Sequence, residues 1–195
     1  KEGIELLENF LPLAEDKAEV FYSLGNLYRV QNNNEKASYY FKEAVKNRIN
    51  HEDALFQLAM ITEEEGSFDE ILDFYQAFID QDPYRAGAWY NLGVVYNRLG
   101  RFEDAIKAYD YAIIIDDSFA SAYFNLGNAL MNTQQYELAL EAYQNTINCE
   151  GANAENCCYM GAAYEKLDKI DEAFKYFKKS AKFDEDYDDA WFGLG

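Results

Sequence analysis

Histidine occurs once in these 195 residues, at His51; proline and tryptophan occur twice each and cysteine three times. A single histidine rules out a multi-histidine metal site, and a Ser/His or Cys/His relay could be centred only on it. The pattern puts His51 in a turn, where a solvated ring beside glutamates is expected. Cys149, Cys157 and Cys158 form an odd set without a C-x-x-C pair, which fits a reducing compartment and a cytoplasmic location. Cys157 and Cys158 adjoin on a helix and point about 100° apart, so they are not expected to bridge. Positive charge is scarce: 17 Lys and Arg stand against 36 Asp and Glu, a net charge of −19. Nucleic acid and anionic membrane surfaces both demand Lys/Arg patches and are excluded as partners. No apolar run approaches the roughly 18–20 residues that span a bilayer, Ala112–Ile115 being the longest comparable stretch, so no membrane insertion is expected.

Chemistry is equally sparse. The recurrent Leu-Gly pairs follow no strand and make no phosphate loop. Asp184-x-Asp186-x-Asp188 opens like a calcium loop, but Asp189 stands where the sharp turn needs glycine, and Gly195 stands where a bidentate glutamate belongs. It reads as a charged turn, and Glu63-Glu64-Glu65 as a solvated helix end. No catalytic residue, metal or cofactor is expected.

What the chain has in abundance is self-similarity. Trp89, Leu92, Gly93, Tyr96, Ala105, Tyr109 and Ala112, shifted by 34 residues, fall on Tyr123, Leu126, Gly127, Leu130, Ala139, Tyr143 and Thr146. A further shift gives Cys157, Met160, Gly161, Tyr164, Ala173, Phe177 and Ser180. Backwards they meet Leu55, Leu58, Ala59, Thr62, Ile71, Tyr75 and Phe78, then Phe21, Leu24, Gly25, Tyr28, Ala37, Phe41 and Ala44. A fixed period of this size marks a stacked repeat. Apolar positions 4, 7, 8 and 11 of each period close into one stripe at helical spacing, and positions 20, 24 and 27 form a second. Each period is therefore two helices. Small residues at 8 and 20 let the backbones approach, and the 17 Tyr and 14 Phe supply rings to fill the space beside them. Acids open most first helices (Glu19, Glu52, Asp53, Glu155, Asp188, Asp189), as the helix dipole favours. Pro83 and Pro12 fall at the ends of second helices.

These residues resemble the tetratricopeptide repeat motif, W-x2-L-G-x2-Y followed by A-x3-F, A and P. The resemblance covers nearly the whole chain. It places full repeats at 18–51, 52–85, 86–119, 120–153 and 154–187, preceded at 1–17 by a second helix and followed at 188–195 by the start of a first helix. The second repeat departs most from the motif, at Thr62, Ile71 and Phe78. The implied fold is all-α, a right-handed solenoid of antiparallel helix pairs. Because the last positions, Trp191 to Gly195, are apolar motif positions without a polar cap, the chain reads as a piece of a longer repeat protein.

Helical geometry then locates a candidate surface. Positions 2, 5, 6, 9, 12 and 13 form an arc opposite the packing stripe of each first helix. In tetratricopeptide arrays the successive arcs line a concave groove that holds partner peptides. Here position 5 carries Tyr22, Phe56, Tyr90, Phe124 and Phe192, a row interrupted only by Cys158. Position 6 carries Asn91, Asn125 and Tyr159; Asn26 and Asn128 stand at position 9; Arg29, Arg98 and Lys166 stand at 12 or 13. An asparagine amide can both donate to and accept from an extended main chain, and rings supply contact area at low entropic cost. The two position-6 asparagines resemble the asparagine ladder of O-linked N-acetylglucosamine transferase repeats. The Lys and Arg pattern of a carboxylate clamp is missing. Position 2 instead holds Glu19, Asp53, Gly87, Ser121, Glu155 and Asp189, so a neutral or basic partner is favoured over an acidic one. The competing role for the rings is packing between adjacent first helices. The expected function is a non-catalytic scaffold that binds a protein or peptide segment. The alternatives are a docking arm of a larger enzyme and a structural spacer or self-associating array joined through its uncapped ends.

Overall fold

The computed structural model describes residues 2–65 and 68–194, apart from the side chains of 62–65, 192 and 194. Thr62, Glu63-Glu64-Glu65 and Phe192, named above, therefore lie outside the described side chains. Among the described residues all regular structure is helical: α1 (Glu2–Phe10), α2 (Lys17–Val30), α3 (Asn34–Asn47), α4 (Glu52–Glu65), α5 (Asp69–Gln81), α6 (Ala86–Arg98), α7 (Phe102–Ile115), α8 (Ala120–Asn132), α9 (Tyr136–Glu150), α10 (Ala154–Lys166), α11 (Ile170–Phe183) and α12 (Asp188–Leu194). A 3-10 turn, Leu11–Leu13, carries Pro12 directly after α1, and Pro83 follows the end of α5. The all-α class read from the sequence is the class observed. The helices form two compact units, residues 1–91 and 92–195, with α6 beginning in one and ending in the other.

Among the described residues the turn inside a hairpin has one recurrent solution. Asn32, Gly100, Gln134 and Asp168, each the fifteenth residue of its period, take φ of 56°, 70°, 62° and 57°. The next amide then reaches back to the helix just ended: Asn33 N to Tyr28 O at 3.0 Å, Arg101 N to Tyr96 O at 2.9 Å, Gln135 N to Leu130 O at 2.9 Å and Lys169 N to Tyr164 O at 3.0 Å. These bonds satisfy carbonyls that the helix end would leave orphaned. They offset the cost, about 1–2 kcal/mol, of a left-handed residue that is not glycine.

In the first unit α2 and α3 pair through Phe41, whose ring lies flat against Gly25, with Leu24, Ala37, Ala44 and Val45 closing the seam. Leu55, Leu58 and Ala59 of α4 meet Ile71, Tyr75 and Phe78 of α5; the bulky Ile71 and Phe78, where the motif prefers alanine, are almost fully buried. In the second unit Gly93, Gly127 and Gly161 each receive the ring of Tyr109, Tyr143 and Phe177 from the following helix. Glycine is needed at each: a methyl group at Gly161 would lie 2.8 Å from the Phe177 ring.

His51 departs from expectation. It is 4% exposed rather than solvated. The turn before α4 folds its ring inward, where Nδ1 accepts from Ala54 N at 3.3 Å and the ring packs 4.8 Å from that of Tyr22. The histidine thus serves as the N-cap of α4, the task Asn153 performs for α10. Its Nε2 is buried without a hydrogen bond among the described residues, 3.7 Å from a Glu19 carboxylate oxygen. Burial first, and then the Arg48 charge, hold its pKa below the ordinary histidine value.

Candidate functional site

The twelve residues singled out by the helical arc are distributed over both units. In the first, Tyr22, Asn26 and Arg29 lie on α2, Phe56 on α4, and Tyr90 and Asn91 on the first turns of α6. Tyr22 is half-buried, with its ring also 5.9 Å from that of Phe41, so it braces α2 against α3 and the turn that holds His51. Arg29 is exposed, and its Nη1 donates to Gln57 Oε1 on α4. Asn26, Phe56 and Tyr90 are half-buried, whereas Asn91 is only 8% exposed.

In the second unit Arg98 is exposed near the end of α6, Phe124, Asn125 and Asn128 lie half-buried on α8, and Tyr159 and Lys166 lie on α10. The Phe124 ring stands edge-on to Tyr159 at 5.0 Å and tilts against Tyr143 at 5.9 Å; Tyr159 lies 5.7 Å from Tyr143. Position 5 of one period, position 24 of the same period and position 6 of the next thus make one three-ring cluster. Asn128 Oδ1 accepts from Tyr143 Oη at 2.8 Å, which ties that amide to the interior. The packing role weighed for the rings is therefore present at Tyr22, Phe124 and Tyr159. It coexists with partial exposure of each.

The electrostatics of the α10–α12 region are one-sided. Burial and then Glu155, Cys158 and Asp189 push the Tyr159 hydroxyl pKa upward. The same surroundings raise Tyr187 to about 12, through burial and then Cys158 and Glu155. Burial and Asp189 raise the Cys158 thiol to about 11. All three cysteines are free; Cys149 is exposed, and Cys157 and Cys158 are buried. In the Asp184 turn the carboxylate accepts from Asp186 N at 3.0 Å, as the Asp116 carboxylate does from Ser118 N two periods earlier. Among the described residues no group of three or more His, Cys, Asp or Glu is placed to hold a metal ion, and no helix is long and apolar enough to cross a membrane.

Two features escaped the sequence reading. One is the capping of α4 by His51, for which the only cue was its place three residues before Ala54. The other is a cleft of about 270 Å³ lined by Cys158, Tyr159, Ala162, Glu165, Phe177, Tyr187, Asp189 and Gly193. The break at Cys158 in the position-5 row was its visible trace.

Consecutive hairpins with a seam that sets a small residue, glycine in every period but the second, against a ring every 34 residues define a helical-repeat protein. Tetratricopeptide repeat models match residues 22–86, 86–119, 120–151 and 154–187, and the chain belongs to that family. Among solved structures it is similar to the MamA protein, at 26% identity over 88% of this chain and 94% of that one, with a TM-score of 0.73. A MamA fragment from Desulfovibrio magneticus RS-1 shares 20% identity over 89% of this chain and 98% of its own, TM-score 0.74. YrrB, described as a TPR protein with an unusual peptide-binding site, shares 17% over 97% of both chains, TM-score 0.72. At those last two identities the likeness is one of fold. No curated protein gives a significant match.

Proposed function

We propose that this chain is a non-catalytic interaction scaffold that holds an extended protein segment, neutral or basic, against the free arcs of its first helices. The observation that carries the reading is the graded burial of those arcs. Arg29, Arg98 and Lys166 are exposed and Asn91 and Cys158 buried, while Tyr22, Asn26, Phe56, Tyr90, Phe124, Asn125, Asn128 and Tyr159 are half-buried beside the buried described residues at positions 3, 7 and 8. The half-buried residues are held in place before a partner arrives, so little side-chain entropy remains to be lost on binding. Membership of the tetratricopeptide family supports a protein partner, and the excess of 36 carboxylates over 17 cations supports its charge preference.

A peptide selected from a random display library against the intact chain supplies the test. Asn125→Ala is expected to weaken its binding about fivefold, the loss of about one net hydrogen bond, with helical signal and melting retained. Lys107→Ala with Tyr111→Ala, on the exposed face of α7, is expected to leave it unchanged. Loss of binding in the α7 variant with full binding in the asparagine variant would reverse the assignment of faces.

A further inference from the structure

The three-ring cluster of Phe124, Tyr143 and Tyr159 has a counterpart one period on, and the counterpart is incomplete. Adding 34 to each number gives Cys158, Phe177 and Gly193: one ring survives and two positions have lost theirs. Phe177 is held between the backbones of Gly161 and Gly193, on both of which a methyl group would collide with it. Tyr159 and Tyr187 stand as side walls, and Cys158, Ala162 and Gly193 add little bulk. The cleft of about 270 Å³ is lined by all three residues of this depleted counterpart, Cys158, Phe177 and Gly193. Its lining includes two carboxylates, Glu165 and Asp189, and among the described residues no Lys or Arg.

We propose that this cleft is a specificity pocket for an arginine side chain of the bound segment, a refinement that rests on the scaffold reading above. The shape argument and the charge argument converge on guanidinium. A gap beside missing rings, flanked by the half-buried Tyr159 and Tyr187, suits a flat group that stacks on aromatic faces. The carboxylates supply acceptors for its fork of N–H donors. A phenylalanine side chain meets the shape but leaves both carboxylates unpaired, and a lysine meets the charge but cannot stack as a plane. The surroundings agree: Asp189 helps raise the pKa of Tyr159, Tyr187 and Cys158, Glu155 helps raise that of the two tyrosines, and among the described residues no cation counters them at these three groups.

The test uses the whole chain, labelled with nitrogen-15, and titrations with N-acetylarginine amide, N-acetyllysine amide and N-acetylphenylalanine amide. The arginine amide is expected to shift backbone signals of α10 and α12 saturably and to bind several-fold tighter than the other two. Asp189→Asn is expected to weaken it about tenfold, as loss of a charge-assisted contact does. Cys158→Phe, which restores the ring, is expected to abolish it with the helical signal intact; should that variant misfold, Asp189→Asn decides alone. Phenylalanine amide binding as tightly as arginine amide, or Asp189→Asn binding like the wild type, overturns the pocket. If the selected peptide still depends on Asn125 in that event, the scaffold reading survives and the arginine pocket alone fails.

Discussion

Gly127 offers the sharpest test of how these hairpins hold together. A methyl group at this position would lie 2.7 Å from Cδ1 and 2.9 Å from Cζ of Tyr143, a ring with no exposed surface. The ring cannot step aside freely, because its Oη is tied to Asn128 at 2.8 Å and Phe124 and Tyr159 pack on it at 5.9 and 5.7 Å. Overpacking of this kind costs about 1–3 kcal/mol, and displacing the hydroxyl forfeits about 1 kcal/mol more. Replacing glycine by alanine within a helix returns about 1 kcal/mol. The net expectation for Gly127→Ala is a destabilisation of about 2 kcal/mol, or about 4–8 °C in melting temperature for a chain of this size. The second hairpin shows the alternative arrangement: Ala59 and Met60 replace Gly127 and Asn128, and Tyr75 Oη is buried without a hydrogen-bond partner among the described residues. Because repeat arrays need not melt as one unit, hydrogen exchange of the α8 and α9 amides should accompany the thermal scan. In a Tyr143→Leu background the alanine is expected to cost much less, the mark of a direct contact. If Gly127→Ala melts at or above the wild-type temperature, or costs the same in both backgrounds, the close-approach account is wrong.

His51 is held neutral by burial, with its folded pKa below that of the unfolded chain; its contribution is present above about pH 6.5 and is lost as acid protonates the unfolded state preferentially. Lowering the pH from 7 to 5 should therefore destabilise the first unit, and His51→Asn, which keeps a capping side chain, should flatten that dependence in melting curves. Asn153→Ala removes the bond in which Asn153 Oδ1 accepts from Asn156 N at 2.8 Å and leaves the one in which Asn156 Oδ1 accepts from the backbone N of residue 153 at 2.9 Å. A cost of about 1 kcal/mol is expected, visible as faster exchange at the start of α10; unchanged exchange there would count against the capping role. Thiol titration of the native chain should show one fast-reacting group, Cys149, with Cys157 and Cys158 reacting only on unfolding, since burial holds both in the thiol form. Three equally fast thiols would contradict their burial.

The repeat, the pairing of helices and the identity of the seam residues were all legible in the sequence, because they depend on local spacing. A glycine or, at Ala59, an alanine at position 8 and a ring at position 24, carried through successive 34-residue shifts, can be read without coordinates, since helical period alone brings them to facing surfaces. The arc bearing Tyr22, Asn91, Phe124 and Asn125 was legible as a direction for the same reason. How far each of its side chains sinks into the seam was not. That depends on which residue of the next hairpin comes to meet it: Tyr159 beside Phe124, His51 beside Tyr22, Gly193 beside Phe177. A solitary histidine in a polar turn carries no local sign that its ring will turn inward to cap α4 and rest on Tyr22. Likewise Cys158 marks a missing ring, but only the packing of α12 decides whether the gap closes or remains a cleft. Periodicity is a property of one helix, whereas burial and cavities are properties of the space between helices, and that space exists only once they have packed.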